Sequence, residues 1–293
     1  MLEVDHLVRT FGQLRAVNDI SFTVPAGQMI GFVGGNGAGK TTTMRMIMGL
    51  LAPDGGAVRW DGRPITQNDR SRFGYMPEER GLYAKQPIGR QLIYLARLKG
   101  MSSQAAEAEA SELMERFGLG DRLKDKLEKL SLGNQQRVQI AAAVMARPIG
   151  LILDEPFSGL DPKAVDQMAA LLAERAAGGV PVLFSSHQLD LIDRLCDGLV
   201  ILANGRVVAA GSKDELESRG PTRHRLVTDT DASWVRDVPG LRVDEVAGGT
   251  AVIEILDPGA ADELLAQALQ RGHVIEFAKV RQTLSEIYRE VAS

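Results

Sequence analysis

Three short apolar runs, each ending in polar loop residues, stand out in the first two-thirds of the chain. They are MIGFVG at 29–34, GLILDEP at 150–156 and PVLFSSH at 181–187. A short uninterrupted apolar run that ends in a loop is typical of a strand buried on both faces of a parallel sheet. Helical patterns alternate with these runs. The hydrophobic pattern therefore predicts an α/β domain over residues 1–218.

Helical periodicity is clearest after the first strand and in the middle of the chain. Residues 41–51 have apolar side chains at helical spacing, and Pro53 ends the pattern. Two amphipathic patterns, over 91–100 and 102–119, have no apolar strand between them. One face of the second pattern holds Ala106, Ala110, Leu113, Met114 and Phe117. We predict a helical insertion over about residues 87–148, packed on the α/β core.

The pattern changes after Pro221. Strands are predicted over 223–228, 241–246, 250–256 and 273–280, and helices over 257–272 and 283–292. Strands of this kind with two helices indicate a small α+β domain over residues 219–293.

Amino-acid composition and charge exclude several classes of protein. The 293 residues are 44% hydrophobic and 25% charged, as in ordinary globular proteins, and the net charge of −4 gives no basic footprint for nucleic acid. The single cysteine, Cys196, excludes an intrachain disulfide framework and fits a cytoplasmic protein. The chain lacks a secretory signal and a run of about 20 apolar residues, so we expect no membrane-spanning helix.

The segment GGNGAGKTT at 34–42, called here the phosphate loop, fits the pattern G-x-x-x-x-G-K-[ST]. It lies between a predicted strand and a predicted helix, as a phosphate-binding loop requires. Its backbone N–H groups would surround phosphate oxygens, Lys40 would neutralise them, and Thr41 would offer its hydroxyl to Mg²⁺. The candidate nucleotide-binding residues are Gly34, Gly35, Asn36, Gly37, Ala38, Gly39, Lys40, Thr41 and Thr42. The alternative is a glycine-rich turn with a surface lysine. The position of this segment between a predicted strand and a predicted helix disfavours that alternative.

Two other strands end in candidate catalytic side chains. Asp154 and Glu155 follow one apolar run, and we expect them on opposite sides of the pleat, one holding Mg²⁺ and the other facing an attacking water. His187 follows another run. Ligands gather at the carboxyl ends of parallel strands, so these side chains are expected near the phosphate loop. An acidic surface loop and a structural histidine are the alternatives.

Residues 130–136, LSLGNQQ, form a signature segment just before a predicted helix over 137–147. A helix start is electropositive and suits an anion. Ser131 could also be an ordinary helix N-cap.

Together these elements resemble the ATP-binding subunit of an ABC transporter, over about residues 1–218. The phosphate loop looks like the Walker A loop, and the signature segment looks like the ABC signature. Residues 151–156 look like the Walker B strand, 158–161 (SGLD) like the D-loop, and His187 like the switch histidine. The resemblance implies a P-loop ABC-type ATPase domain that uses ATP and Mg²⁺.

The resemblance also implies roles for single residues. Asp154 would position Mg²⁺, Glu155 would act as general base, and His187 would contact the γ-phosphate. Phe11 lies where such proteins offer an aromatic face to adenine, although it could instead be a core residue. Glu78 occupies the position of the usual Q-loop glutamine; it could ligate Mg²⁺, but it adds negative charge beside a triphosphate.

In this family two ATP-binding domains pack head to tail. Ser131 and Gly133 would then contact a nucleotide held by a second ATP-binding subunit, identical or related, and Asp161 would couple the two sites. Leu132 and Asn134 depart from the usual LSGGQ, while the serine and the second glycine are kept. The remaining partner would be a separate transmembrane permease docked around residues 81–86. This arrangement implies a peripheral protein on the cytoplasmic face of the cell membrane.

Residues 74–83 (GYMPEERGLY) and the C-terminal region are similar to a bacterial branch that exports sodium ions or drugs. Two alternatives remain. One is a soluble ABC ATPase of translation or DNA repair, which the single ATP-binding domain and the lack of a coiled coil disfavour. The other is a nucleotide-dependent regulator, which Glu155 disfavours.

Overall fold

The computed structural model describes residues 1–79, 81–219, 222–280 and 286–288. It divides into two compact units, the first containing Met1–Lys213 and the second Asp214–Ile287. The boundary predicted after residue 218 stays a prediction.

The first unit contains the predicted apolar strands. Its strands are β1 (Leu2–Phe11), β2 (Leu14–Val24), β3 (Met29–Gly34), β4 (Gly55–Trp60), β5 (Arg63–Pro64), β6 (Gly74–Met76), β7 (Leu151–Leu153), β8 (Val182–Ser185), β9 (Gly198–Ala203) and β10 (Arg206–Ser212). Its helices are α1 (Lys40–Ile47), α2 (Gln67–Ser71), α3 (Ile88–Leu98), α4 (Ser103–Arg116), α5 (Leu132–Val144), α6 (Pro162–Ala177) and α7 (Leu189–Leu195). The helix α8 (Lys213–Arg219) follows along the chain.

A six-stranded sheet with the order β10-β9-β3-β8-β7-β6 forms the centre of this unit. The strands from β9 to β6 are parallel, and β10 is antiparallel to β9. The three apolar runs predicted as strands are its adjacent strands β3, β8 and β7, and all of their residues are buried. Since parallel strands end at the same edge, the phosphate loop, Asp154 and the segment leading to His187 leave the sheet together. The predicted α/β class is confirmed.

A second, antiparallel sheet with the order β2-β1-β4-β5 was not predicted. Its residues share a core with the six-stranded sheet and α1: the rings of Phe22 and Phe32 are 5.2 Å apart, and Met44 is fully buried in the same cluster. The strands β1 and β2 alternate buried and exposed positions irregularly because their pairing contains register shifts. This sheet places Phe11 at the end of β1.

Three helices, α3, α4 and α5, occupy the region predicted as a helical insertion. The predicted apolar face of α4 is confirmed, because Ala106, Ala110, Leu113, Met114 and Phe117 are all buried. Among the helices that the structure describes, none has the length and apolar character needed to cross a lipid bilayer.

The second unit is a four-stranded antiparallel sheet with a helix. Its elements are β11 (Arg223–Thr228), β12 (Leu241–Ala247), β13 (Thr250–Ile255), α9 (Ala260–Arg271) and β14 (Val274–Val280), with the sheet order β12-β13-β11-β14. Leu264 and Ala268 of α9 share a core with Leu226 and Ile253 of the sheet. Of the helix predicted over 283–292, residues 286–288 are helical and the others lie outside the described residues.

Candidate nucleotide site

The phosphate loop connects β3 to α1, and its tight path depends on glycine. Gly39 adopts a φ of 99°, and a Cβ atom there would lie 2.6 Å from the carbonyl oxygen of Ala16. Any larger residue would therefore clash with the backbone of β2 and be strained as well. The loop is thus held against the antiparallel sheet at the point where α1 begins.

Lys40 lies inside the phosphate loop. Its Nζ atom donates to the carbonyl oxygens of Gly34 (2.7 Å) and Gly35 (3.3 Å), and the residue is only 8% exposed. Burial lowers the pKa of Lys40, while the neighbouring carboxylates of Glu155, Asp154 and Glu78 act in the opposite direction. A buried ammonium group that faces three acidic side chains is placed to neutralise an incoming anion.

Asp154 is 1% exposed and accepts two side-chain hydrogen bonds. Its Oδ2 accepts from the Thr41 hydroxyl at 2.7 Å, and its Oδ1 accepts from the Ser185 hydroxyl at 2.6 Å. The end of β7 is thereby joined to the start of α1 and to the end of β8. Ser185 was not among the predicted residues, although its position as a polar residue at the end of an apolar strand is the same signal that identified Asp154.

Glu155 lies in a different environment. The strand β7 ends at Leu153 and Glu155 has a φ of 50°, so the expectation that Asp154 and Glu155 lie on opposite sides of a pleat is wrong. Burial raises the pKa of Glu155, and the attraction of nearby His187 and Lys40 offsets part of this effect. The Oε1 atom of Glu155 is buried and has no hydrogen-bond partner among the described residues. A carboxylate of this kind can accept a proton from a bound water.

A cleft of about 490 Å³, called here the nucleotide cleft, brings most of the predicted residues together. It is lined by Phe11, Leu14, Ala16, Asn36, Gly37, Ala38, Gly39, Lys40, Thr41, Thr42, Glu78, Asp154, Glu155 and His187. Phe11 is 46% exposed, so the alternative of a core phenylalanine is wrong. Sequence analysis did not identify Leu14 and Ala16, because they belong to the unpredicted antiparallel sheet.

Ser131 and Gly133 are not among the residues that line the nucleotide cleft. Ser131 is the N-cap of α5, where its hydroxyl accepts a hydrogen bond from the backbone N–H of Asn134 at 3.4 Å. Leu132, which stands where the family usually has glycine, is 63% exposed.

The oxygen atoms near the phosphate loop fit Mg²⁺. Thr41, Asp154 and Glu78 offer a hydroxyl and two carboxylates, which are the donors that Mg²⁺ prefers. Among the described residues no group of three or more histidine, cysteine or acidic side chains could hold a metal ion alone. Phosphate and water oxygens would complete the coordination of such a cation.

Comparisons with known proteins agree with this geometry. A family model described as "ABC transporter" matches residues 17–158, and a second, described as "ATP-binding protein DrrA1-3-like, C-terminal domain", matches residues 211–292. An uncharacterized ABC transporter ATP-binding protein of Bacillus subtilis (strain 168), YhaQ, is 40% identical over 99% of this chain and 98% of its own length. The chain belongs to the ABC transporter ATP-binding proteins.

Two further proteins are similar to this ABC transporter ATP-binding protein. The daunorubicin/doxorubicin resistance ATP-binding protein DrrA of Streptomyces peucetius is 37% identical over 74% of this chain and 67% of its own length. A solved structure of the ATP binding subunit of an ABC transporter is similar with a TM-score of 0.70 and 35% identity, covering 75% of this chain and 92% of that one. The resemblance noted in the sequence and the ABC-type ATPase fold are confirmed. A protein of this family binds nucleotide.

Proposed function

We propose that the chain is the ATP-hydrolysing motor of an ABC exporter and acts on a separate transmembrane permease. One observation carries the proposal: Lys40, Asp154, Glu155 and His187 follow three different strands, β3, β7 and β8, and line one cleft with the rest of the phosphate loop. A cation for phosphate, an oxygen ligand for Mg²⁺, a general base and a hydrogen-bonding imidazole are the groups that ATP hydrolysis needs.

Each side chain then has a role that its surroundings support. Lys40 neutralises phosphate oxygens, because it is a buried cation at the centre of the loop. Thr41 and Asp154 would hold Mg²⁺, with Glu78 facing the same cleft. Bound Mg²⁺ would neutralise charge on the phosphates and orient them. Glu155 takes the proton of the attacking water, His187 contacts the γ-phosphate, and Phe11 stacks on the adenine.

A complete site requires a second ATP-binding subunit. Ser131 and Gly133 lie outside the nucleotide cleft of their own chain, so we assign them to the nucleotide of an identical or related subunit packed head to tail. The phosphate loop of each subunit would face the signature segment of the other.

An apolar groove of about 410 Å³ beside residues 81–86 is the proposed docking place for the permease. Leu82, Leu95 and Leu98 contribute to its lining, and Tyr83, next to it along the chain, is 72% exposed. Both polar atoms of the Gln139 side chain, which also lines the groove, are buried and lack hydrogen-bond partners within the described part of the chain. A partner's backbone would satisfy them. Docked in this way, the chain is peripheral on the cytoplasmic face of the membrane.

Export, rather than import, is supported by the C-terminal region and by one relative. Residues 211–292 match a domain named after DrrA-type proteins, and the printed name of DrrA links it to drug resistance. We therefore propose a drug or a similar compound as cargo.

Mixing two inactive variants tests the shared site. Lys40→Ala and Ser131→Ala chains are each expected to lose nearly all phosphate release, alone or with the permease. A mixed homodimer regains one intact site, so the mixture should recover part of the wild-type rate. If the mixture stays inactive although light scattering shows dimers, the assignment of the signature segment to the partner's nucleotide is wrong. Wild-type chain without turnover, even with its permease, would favour a nucleotide-dependent regulator instead.

A further inference from the structure

The backbone of Glu155 adopts a conformation that its surroundings must hold in place. Its φ of 50° lies in the left-handed region, which few residues other than glycine occupy. Such a conformation persists only when neighbouring groups determine it. The direction of the Glu155 carboxylate depends on this turn, because Glu155 lies only two residues after the last residue of the buried strand β7.

Two side chains from different elements hold the peptide groups of Glu155. The N–H of Glu155 donates to the hydroxyl of Ser185, at the end of β8, with a distance of 2.8 Å. Its carbonyl oxygen accepts from Nε2 of Gln136, in α5, at 2.9 Å. The same Nε2 donates to the carbonyl oxygen of Pro156 at 3.0 Å. One amide group therefore bridges two successive carbonyls of the turn.

Gln136 belongs to the signature segment, and other contacts join the start of α5 to the loop that follows Glu155. The guanidinium of Arg137 lies 3.2 Å from the carboxylate of Asp161. Gly133 approaches the carbonyl of Gly159 so closely that a Cβ atom at Gly133 would lie 2.9 Å from it. The start of α5 and residues 155–161 are thus packed together within one chain.

We propose that Gln136 is a positioning residue for Glu155. Its amide holds the turn that aims the carboxylate of Glu155 into the nucleotide cleft. Because the amide extends from the signature segment, a displacement of α5 alters the hydrogen bonds that fix the base of the same chain. The inference rests on the proposed function, since it takes Glu155 as the general base.

The chemistry of glutamine explains why this residue type suits the position. Its NH₂ group carries two donor hydrogens, so it can serve both carbonyl oxygens at once. Methionine has a similar length but no N–H donor. Glutamate has the same shape but, when ionised, only accepts, and would face two carbonyl oxygens. The rate of ATP turnover should therefore be highest in the wild type, lower in Gln136→Met and lowest in Gln136→Glu. If Gln136 only filled space, Gln136→Glu would turn over ATP at close to the wild-type rate.

The experiment compares Gln136→Met and Gln136→Glu in the full chain with Gln104→Met, which makes the same change at an exposed position of α4. Phosphate release is measured with the chain alone and with its permease. We expect kcat to fall about 10- to 100-fold for Gln136→Met, as for a misplaced catalytic group, with the KM for ATP unchanged within about twofold. Amide hydrogen exchange over residues 154–160 should become at least about threefold faster, with other segments unchanged. Gln104→Met should match wild type in both measurements.

Several outcomes overturn the inference. Wild-type kcat and exchange in Gln136→Met would show that the amide does not hold Glu155. If Gln136→Met raised the KM for ATP by as large a factor as it lowered kcat, Gln136 would have a general structural role instead. If Gln136→Met does not fold, Gln136→Ala is judged by the same two measurements.

Glu155→Gln separates this inference from the proposed function. If Glu155→Gln turns over ATP at the wild-type rate, the assignment of the base fails. If Glu155→Gln is inactive while Gln136→Met is fully active and exchanges as wild type, only the positioning role fails.

Discussion

The Nε2 atom of His187 lies 3.2 Å from Oε1 of Glu155, and this carboxylate oxygen accepts no hydrogen bond from any residue that the structure describes. The contact is therefore electrostatic. Two side chains from the ends of β7 and β8 meet here, one largely buried and one half exposed. Burial acts on the pKa of Glu155 more strongly than the attraction of His187, and the pKa is raised. Glu155 is thus a carboxylate whose charge opposes folding.

The raised pKa predicts how Glu155 affects stability. The folded chain binds the proton of Glu155 more tightly than the unfolded chain does, so ionisation destabilises the fold. The penalty begins as the pH rises through the ordinary value of 4.5, grows until the folded pKa is passed, and then stays constant. Glu155→Gln removes the charge and should unfold at a higher temperature than wild type at pH 8. Below about pH 4 the two melting temperatures should converge.

Thermal unfolding of both chains from pH 3.5 to pH 8, followed by circular dichroism, checks this. Glu107→Gln, which makes the same change at an exposed position of α4, is the matched control and should melt as wild type does across this pH range. A Glu155→Gln chain less stable than wild type at pH 8 would contradict the prediction.

Phe11→Ala should weaken ATP binding. The ring lies at the end of β1, lines the nucleotide cleft and is half exposed, with the guanidinium carbon of Arg9 5.0 Å from its centre. Stacking of a base on an aromatic ring contributes about 1–3 kcal/mol, so the Kd for ATP should rise about 5- to 150-fold. Isothermal titration calorimetry with Mg²⁺ and ATP measures it.

Phe11→Trp, which keeps an aromatic face, is the control for this substitution. It should bind ATP as wild type does, within about threefold. Unchanged affinity of Phe11→Ala would show that the base does not stack on this ring.

The parts of the site that sequence analysis located are those encoded locally. The phosphate loop is one continuous segment between a strand and a helix. Asp154 directly follows one apolar strand, and His187 lies two residues after the end of another. Because parallel strands end at one edge, these separate segments were expected to meet. The buried face of α4 could also be predicted, because the helical spacing of its apolar residues is enough to identify it.

The parts that were missed depend on tertiary contacts. The antiparallel sheet has irregular alternation because of its register shifts, so β1 and β2 carry a weak period-2 signal. Ser185 and Gln136 act through hydrogen bonds to residues 19 to 31 positions away along the chain. The turn at Glu155 needs a positive φ that no local residue preference indicates. Spacing alone predicts none of these contacts.

Gly74→Ala should destabilise the first unit. A Cβ atom at Gly74 would lie 2.1 Å from the carbonyl oxygen of Ala143 and 2.5 Å from the side chain of Leu151. Since the nearest atom belongs to the backbone of α5, the clash can be relieved only by moving β6 or α5, which costs free energy in a closely packed core. We expect a loss of about 1–3 kcal/mol or more in the free energy of unfolding, measured by urea titration.

Gly55→Ala makes the same change in another strand of this unit, where the nearest atom would be 3.8 Å away. It should alter the free energy of unfolding by less than about 1 kcal/mol. Equal stability of the two variants would show that β6 and α5 are packed less closely than described.

Arg116 and Glu174 join the helical insertion to the core, and their contribution should be small and sensitive to salt. The guanidinium of Arg116 in α4 donates to both carboxylate oxygens of Glu174 in α6, at 2.7 and 2.6 Å. Glu174 is 60% exposed, so water screens the pair. A double-mutant cycle with Arg116→Met and Glu174→Gln should give a coupling energy of about 0.2–1 kcal/mol at low salt and close to zero at 1 M NaCl.

The pH dependence of this ion pair provides a further check. The hydrogen bond with Arg116 lowers the pKa of Glu174, so its contribution is present above the ordinary value of 4.5 and is lost as the pH falls through the folded pKa. Urea titrations at pH 7 and pH 3 should therefore show a larger destabilisation by Glu174→Gln at pH 7 than at pH 3. Glu107→Gln, at an exposed position of α4, should change stability little at either pH. A coupling energy that survives 1 M NaCl would indicate that the ion pair is shielded from water, against its exposure in the structure.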